Sequence, residues 1–251
     1  MTFPNCGAIA RRAALSHGAA PHRDDMLNRT IEAARETGFW HAYNGRRYAI
    51  LFYALLLTLI AVPLATGLNL PATILKLLLG ACLFAAVMPN STRRSRWFLL
   101  TGTVLLVWAE IASEHGSIPV NPALLQALVG VAGLVAAAGA LRYTITAASV
   151  NGETIFAALS TYLLAGIFFG RIYWAIQEYW PGSIVGPDPL TGQIAIYYSF
   201  VTLATLGYGD FLPRTDIARG VATFEVIGGQ LFLAVMVARL LSAFDGPDKD
   251  D

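Results

Sequence analysis

Thr202-Leu203-Ala204-Thr205-Leu206-Gly207-Tyr208-Gly209-Asp210 is the stretch on which the reading of this chain turns. A small hydroxyl residue is followed by two glycines flanking an aromatic, and then by an acid. Glycine opens backbone conformations closed to other residues. Such conformations can turn successive carbonyls toward one axis, where they replace the water shell of a cation. Thr205 adds a hydroxyl oxygen at the inner end, and Tyr208 is expected to point away from the axis and brace the loop.

Composition sets the frame. Of 251 residues, 56% are hydrophobic and 13% charged, and mean hydropathy is +0.57. That charge content is about half the soluble average, so the chain reads as a polytopic membrane protein. A net charge of +1 gives no nucleic-acid signature. Cys6 and Cys82 are unlikely partners, the four histidines are scattered, and no metal-ligand spacing or cofactor motif occurs. Neither His-Glu-x-x-His nor Gly-x-Ser-x-Gly is present, which argues against an enzyme.

Six apolar segments are legible: Tyr48 to about Gly67, Pro71 to Met88, Trp97 to Ala112, Pro122 to Leu141, Glu153 to Tyr173, and Asp216 to Leu241. Most approach the ~20 residues a crossing helix requires. The expected fold is therefore an all-α membrane protein with six transmembrane helices. Asn121 and Asn151 are helix caps, and Pro122 suits the first helical position. Between helices five and six, Pro181-Gly182 and Gly186-Pro187-Asp188-Pro189 read as an irregular outer turret. Gln193 to Ala204 is apolar and about the length of a short re-entrant helix, whose carboxyl end favours a cation below the loop.

Basic residues set the orientation. Arg46-Arg47, Arg93, Arg94, Arg96 and Arg142 fall in alternate connections. Both termini are then cytoplasmic, and the glycine-rich loop hangs from the outer side of a cell membrane. The parts are residues 1–45, an N-terminal segment; 46–150, a four-helix membrane domain; 151–244, a pore domain; and 245–251, a short acidic tail. Leu27, Ile31, Ala34 and Gly38 recur at helical spacing, which fits either a helix on the membrane surface or a solvated lead-in helix. The tail leaves no expectation of a cytoplasmic ligand-binding domain.

Thr205-Leu206-Gly207-Tyr208-Gly209-Asp210 resembles the selectivity filter of the tetrameric potassium channels. Tyr197-Tyr198-Ser199-Phe200 resembles the end of their pore helix, and Pro213 falls where they leave the filter. The likeness runs from about Asn151 to about Ser242. It implies K+ as permeant ion, held at Thr205, Leu206, Gly207 and Tyr208, with Gly209 opening the outer mouth. One loop cannot surround an ion but four can, so a homotetramer among membrane lipids is expected.

The resemblance also assigns supporting roles. Asp210 pairs behind the filter; Tyr197 and Tyr198 stand for the family's tryptophans as an aromatic cuff. Val201 occupies a position where some members carry a buried acid. Gly228-Gly229 lies mid-way along helix six, and Gly229 is either a gating hinge or a point of close packing on the pore helix. Gln230, Leu233 and Val237 share a face that lines the inner cavity.

Burying Glu225 unpaired would be costly. As a brace behind the filter it is partnered by Tyr198 or Thr202; as a structural acid, by Arg219 or a backbone amide. Arg171 is expected to pair with Glu178 or a neighbouring chain's acid, and Arg239 to reach lipid headgroups or the cytoplasmic mouth. Gly166 and Gly170 form a small-xxx-small pair of little weight in so glycine-rich a chain. Voltage sensing needs several basic residues at every third position. The fourth segment carries none, so conduction is expected to be nearly voltage-independent. The competing expectation is a non-selective or non-conducting channel-like subunit; a secondary transporter would call for an inverted repeat, which is not seen.

Overall fold

The computed structural model describes residues 46–67, 121–147 and 149–244, with isolated positions 80 and 109. The second and third apolar segments, the N-terminal segment and the acidic tail lie outside the described residues. Five helices and two short strands make up the rest: α1 (Arg47–Gly67), α2 (Pro122–Thr146), α3 (Gly152–Tyr179), β1 (Ile184–Val185), α4 (Gly192–Leu203), β2 (Leu212–Pro213) and α5 (Asp216–Phe244). Among the described residues, α2, α3 and α5 are long and apolar enough to cross a membrane.

Local chemistry sets the helix ends. Asn121 caps α2 by accepting from the Ala123 amide at 2.9 Å, with Pro122 at the first helical position. Asn151 caps α3 by accepting from the Thr154 amide at 2.9 Å. Both helices run further than expected, α2 to Thr146 and α3 to Tyr179. Apolarity ends near Leu141 and Tyr173, but no glycine or proline breaks the helix there, and hydrogen bonding carries on into polar residues.

Two pairs of small residues let helices approach closely. On α2, a Cβ at Gly133 would stand 2.0 Å from the Phe168 ring of α3, and one at Gly130 would stand 2.6 Å from Ile172. Phe168 is thereby wholly buried in a core shared with Leu51 and Leu55 of α1, Val129 and Ala137 of α2, and Leu164 of α3.

One end of the molecule gathers three helix termini. The Tyr48 amide of α1 donates to Glu153 Oε2 at 3.0 Å, so one carboxylate serves the amino ends of both α1 and α3. Tyr48 stacks on Tyr143 near the end of α2, centroids 4.7 Å apart, with the Arg47 guanidinium 5.2 Å from each ring. Thus α1 and α3 start at this basic end, and α2 finishes there. Arg239, near the close of α5, donates to the carbonyls of Ile145 and Ala147. Lipid headgroups or the cytoplasmic mouth had been expected for Arg239; within the chain its guanidinium satisfies carbonyls left over where α2 ends.

At the opposite end, Arg171 Nη1 donates to Gln126 Oε1 of α2 at 2.7 Å and lies 5.8 Å from the Trp174 ring. Arg171 therefore joins α3 to α2, where Glu178 or a neighbouring chain's acid had been expected as partner. The turret is not wholly irregular either. Ile184 and Val185 pair antiparallel with Pro213 and Leu212, and the Arg214 amide extends the ladder to the Ser183 carbonyl at 2.8 Å.

Candidate functional site

The short helix α4 lies between α3 and α5, and its side chains fix it on both sides. Toward α3, a Cβ at Gly166 would stand 2.4 Å from the Phe200 ring, and one at Gly170 would stand 2.6 Å from Ile196 Cα. The pair given little weight in the sequence is thus the groove that receives α4. Toward α5, a Cβ at Gly229 would stand 2.6 Å from the Leu203 carbonyl oxygen, whereas Gly228 has nothing within 4 Å. Of the two readings of Gly229, close packing on the pore helix has this contact behind it.

The loop after α4 has an unusual backbone. Thr205, Gly207 and Gly209 take positive φ of 57°, 54° and 80°, alternating with Leu206 and Tyr208. Left-handed conformation is costly for a residue with a side chain, so Thr205 is strained where the two glycines are not. The loop amides turn back onto the helix: Thr205 donates to the Thr202 carbonyl at 2.9 Å, and Leu206 donates to the Val201 carbonyl at 2.9 Å. These bonds take up the last carbonyls of α4. With a longer bond from the Gly207 amide to the Val201 carbonyl at 3.4 Å, they occupy the amides of the first half of the loop, while its own carbonyls stay available.

Side chains from Thr205 to Asp210 are exposed within the single chain. Tyr208 is 66% exposed, so the bracing contact expected of it is not made inside one chain. Asp210 Oδ2 accepts from the Tyr197 hydroxyl at 2.8 Å, which ties the acid beyond the loop to the first half of α4. Tyr198 is buried edge-on against Tyr173, centroids 4.8 Å apart.

Glu225 has neither of its expected sets of partners. It is completely buried and accepts from the Tyr173 hydroxyl at 2.6 Å and the Ser199 hydroxyl at 2.5 Å. Arg219 turns away to Asp216 at 3.7 Å and to the Pro213 carbonyl at 3.3 Å, both exposed contacts. Spacing along the chain could not reveal Tyr173, which lies 52 positions before Glu225. A small hydroxyl residue among the aromatics of Tyr197-Tyr198-Ser199-Phe200 was the available hint.

Only 17% of the apolar window of α5 is buried, against 50% for α3. The buried stripe runs through Ala218, Glu225, Gly229 and Met236. Gln230, Leu233 and Val237 stand exposed beside it, as do Ile227, Leu231 and Val235. Leu233 and Val237 also edge a cavity of about 220 Å³ formed with Thr154, Ala158 and Leu159 of α3. No group of His, Cys, Asp and Glu among the described residues is placed to hold a metal ion.

The glycine-rich loop, the short helix before it and the two membrane-length helices on either side form one continuous stretch of the chain. Residues 154–245 match a protein family described as Ion channel. The inward rectifier potassium channel Kirbac3.1 of Paramagnetospirillum magnetotacticum is 31% identical over 90 residues, 34% of this chain and 28% of that protein. A Rhodopseudomonas palustris protein with a provisional potassium-channel name is 42% identical over 50 residues, 20% of this chain and 12% of that protein. The matched parts thus span well under half of either curated relative, and no solved structure matches. Over residues 154–245 the chain is thus similar to ion channels, and over the shorter matched parts to potassium channels.

Proposed function

We propose that four copies of this chain form a K+-selective pore, with the carbonyls of Thr205, Leu206, Gly207 and Tyr208 replacing the ion's water shell. The observation that carries this reading is the alternation of positive φ at Thr205, Gly207 and Gly209 in an exposed loop whose first three amides, of Thr205, Leu206 and Gly207, bond back to α4. A single such loop leaves an ion open to water; four around an axis enclose it. The exposed apolar faces of α5 support the same assembly, since a pore-lining helix needs neighbouring copies on its flanks. Gln230, Leu233 and Val237 then face the inner cavity, and Asp210 adds negative potential at the outer mouth.

The first four segments form a membrane domain without a voltage sensor. In α2 the sole basic residue is Arg142, in the last two turns. The basic end gathers Arg46, Arg47 and Arg142 and is the cytoplasmic face of a cell membrane. Since α1 leaves that face and α2 returns to it, an even number of crossings fits the intervening residues, as six spans with both termini inside require. Reversal potentials of purified protein in liposomes, under opposed K+ and Na+ gradients, test the pore. The potential follows the K+ gradient if the reading holds. Equal passage of both ions, or none, favours a non-selective or non-conducting subunit. A conductance curve demanding several gating charges per chain would contradict the sensorless domain.

A further inference from the structure

Among the buried polar groups, the acid of α5 stands apart because three elements meet on it. Glu225 belongs to α5, Ser199 to α4 and Tyr173 to α3, and all three are fully buried. Each carboxylate oxygen receives one hydroxyl: Oε1 from Ser199 and Oε2 from Tyr173. A buried carboxylate whose two donors among the described residues are both neutral is expensive to keep, which calls for a reason beyond packing.

Geometry supplies that reason. Glu225 meets Ser199, and one turn further along both helices Gly229 meets the Leu203 carbonyl. The two contacts share an i, i+4 spacing on α4 and on α5, so together they fix the helices in rotation as well as position. Leu203 is the last residue of α4, and the loop from Thr205 hangs from the carbonyls of Val201 and Thr202 just before it. Whatever sets the end of α4 therefore sets the carbonyls of the loop. The Val201 side chain, on α4 itself, has no polar group to offer.

We infer that Glu225 is the positioning residue of the ion-selective loop: its carboxylate locks α4 to α5 through Ser199 and to α3 through Tyr173, and selectivity depends on that lock. This rests on the reading of residues 205–208 as the ion site. The lock acts by hydrogen bonding, with Glu225 touching neither the loop nor the ion.

The test compares purified Ser199→Ala, Ser199→Thr and Tyr173→Phe with the parent protein in liposomes, with assembly followed by size-exclusion chromatography. Ser199→Ala removes one donor and is expected to lower the K+/Na+ permeability ratio about tenfold in an intact assembly, the scale of one hydrogen bond to a charged group. Ser199→Thr keeps the hydroxyl and is expected to restore most of the ratio, which a purely space-filling role would not produce. Tyr173→Phe leaves α4 untouched and is expected to lower the ratio about threefold; it carries the test if Ser199→Ala does not assemble. A parent that is selective while both deletions keep its ratio overturns the inference alone. A parent without K+ preference overturns the reading beneath it.

Discussion

Gly229→Ala separates two roles that a glycine in a pore-lining helix can play. In the structure an added Cβ at 229 lies 2.6 Å from the Leu203 carbonyl oxygen and 2.9 Å from its Cδ1. Ordinary contact begins near 3.4 Å, so the end of α4 must retreat by about 0.8 Å. The obstacle is backbone, which cannot swing aside as a side-chain tip would. Overpacking of this kind costs about 1–3 kcal/mol, offset by ~0.5–1 kcal/mol from replacing glycine with alanine inside a helix. Gly228→Ala gains the same helix propensity and meets nothing within 4 Å. The pair therefore shares its effect on bending and differs in contact. Thermal unfolding and K+ flux of both purified variants give the answer. Gly228→Ala is expected to match or exceed the parent in stability and to keep its flux. Gly229→Ala is expected to lose stability by about 1 kcal/mol and to lose K+ preference, because the displaced carbonyl lies two residues before the loop. If the two variants behave alike, the contact reasoning is wrong and helix bending governs both.

Gly207→Ala and Gly209→Ala place a side chain at φ of 54° and 80°, at a cost of roughly 1–2 kcal/mol each. Open space surrounds both positions within the single chain, so the expected outcome is loss of K+/Na+ discrimination with the helices intact, read from reversal potentials and circular dichroism. Arg239→Met removes the donors that bind the Ile145 and Ala147 carbonyls while keeping much of the side chain's length. Melting of the purified protein is expected to show a loss of about 2 kcal/mol, and an unchanged melting curve would mean that these carbonyls find water instead.

Much of the helical frame was legible because its signals are local. Asn121 with Pro122, and Asn151, mark helix starts by chemistry contained in four residues. The carboxyl ends of α2 and α3 were misjudged because hydropathy locates where apolar surface stops, while a helix continues until its hydrogen bonds are broken. The loop was recognisable for a related reason: its backbone is dictated by its own glycines. What joins the elements was hidden. Glu225 with Tyr173, Arg239 with Ala147 and Arg171 with Gln126 unite residues 52, 92 and 45 positions apart. In each case several partners of suitable chemistry were present, and only folding chose among them. Gly130 and Gly133, opposite Phe168 and Ile172, went unremarked because a glycine in a chain with 23 of them carries little information until its neighbour is known.

The small ladder between β1 and β2 has one more consequence. Ile184 lies opposite Pro213 and Val185 opposite Leu212, so the strand leading into α4 and the one leaving the glycine-rich loop run side by side. Everything from residue 186 to 211 is strung between two neighbouring posts. Between the first post and α4, the exposed stretch Pro187–Pro189 can be exchanged for another of different length without disturbing the spacing of the helices. That outer connection, unlike α4 with its seats on α3 and α5, is in that sense a separately replaceable part, open to independent change by evolution or by grafting.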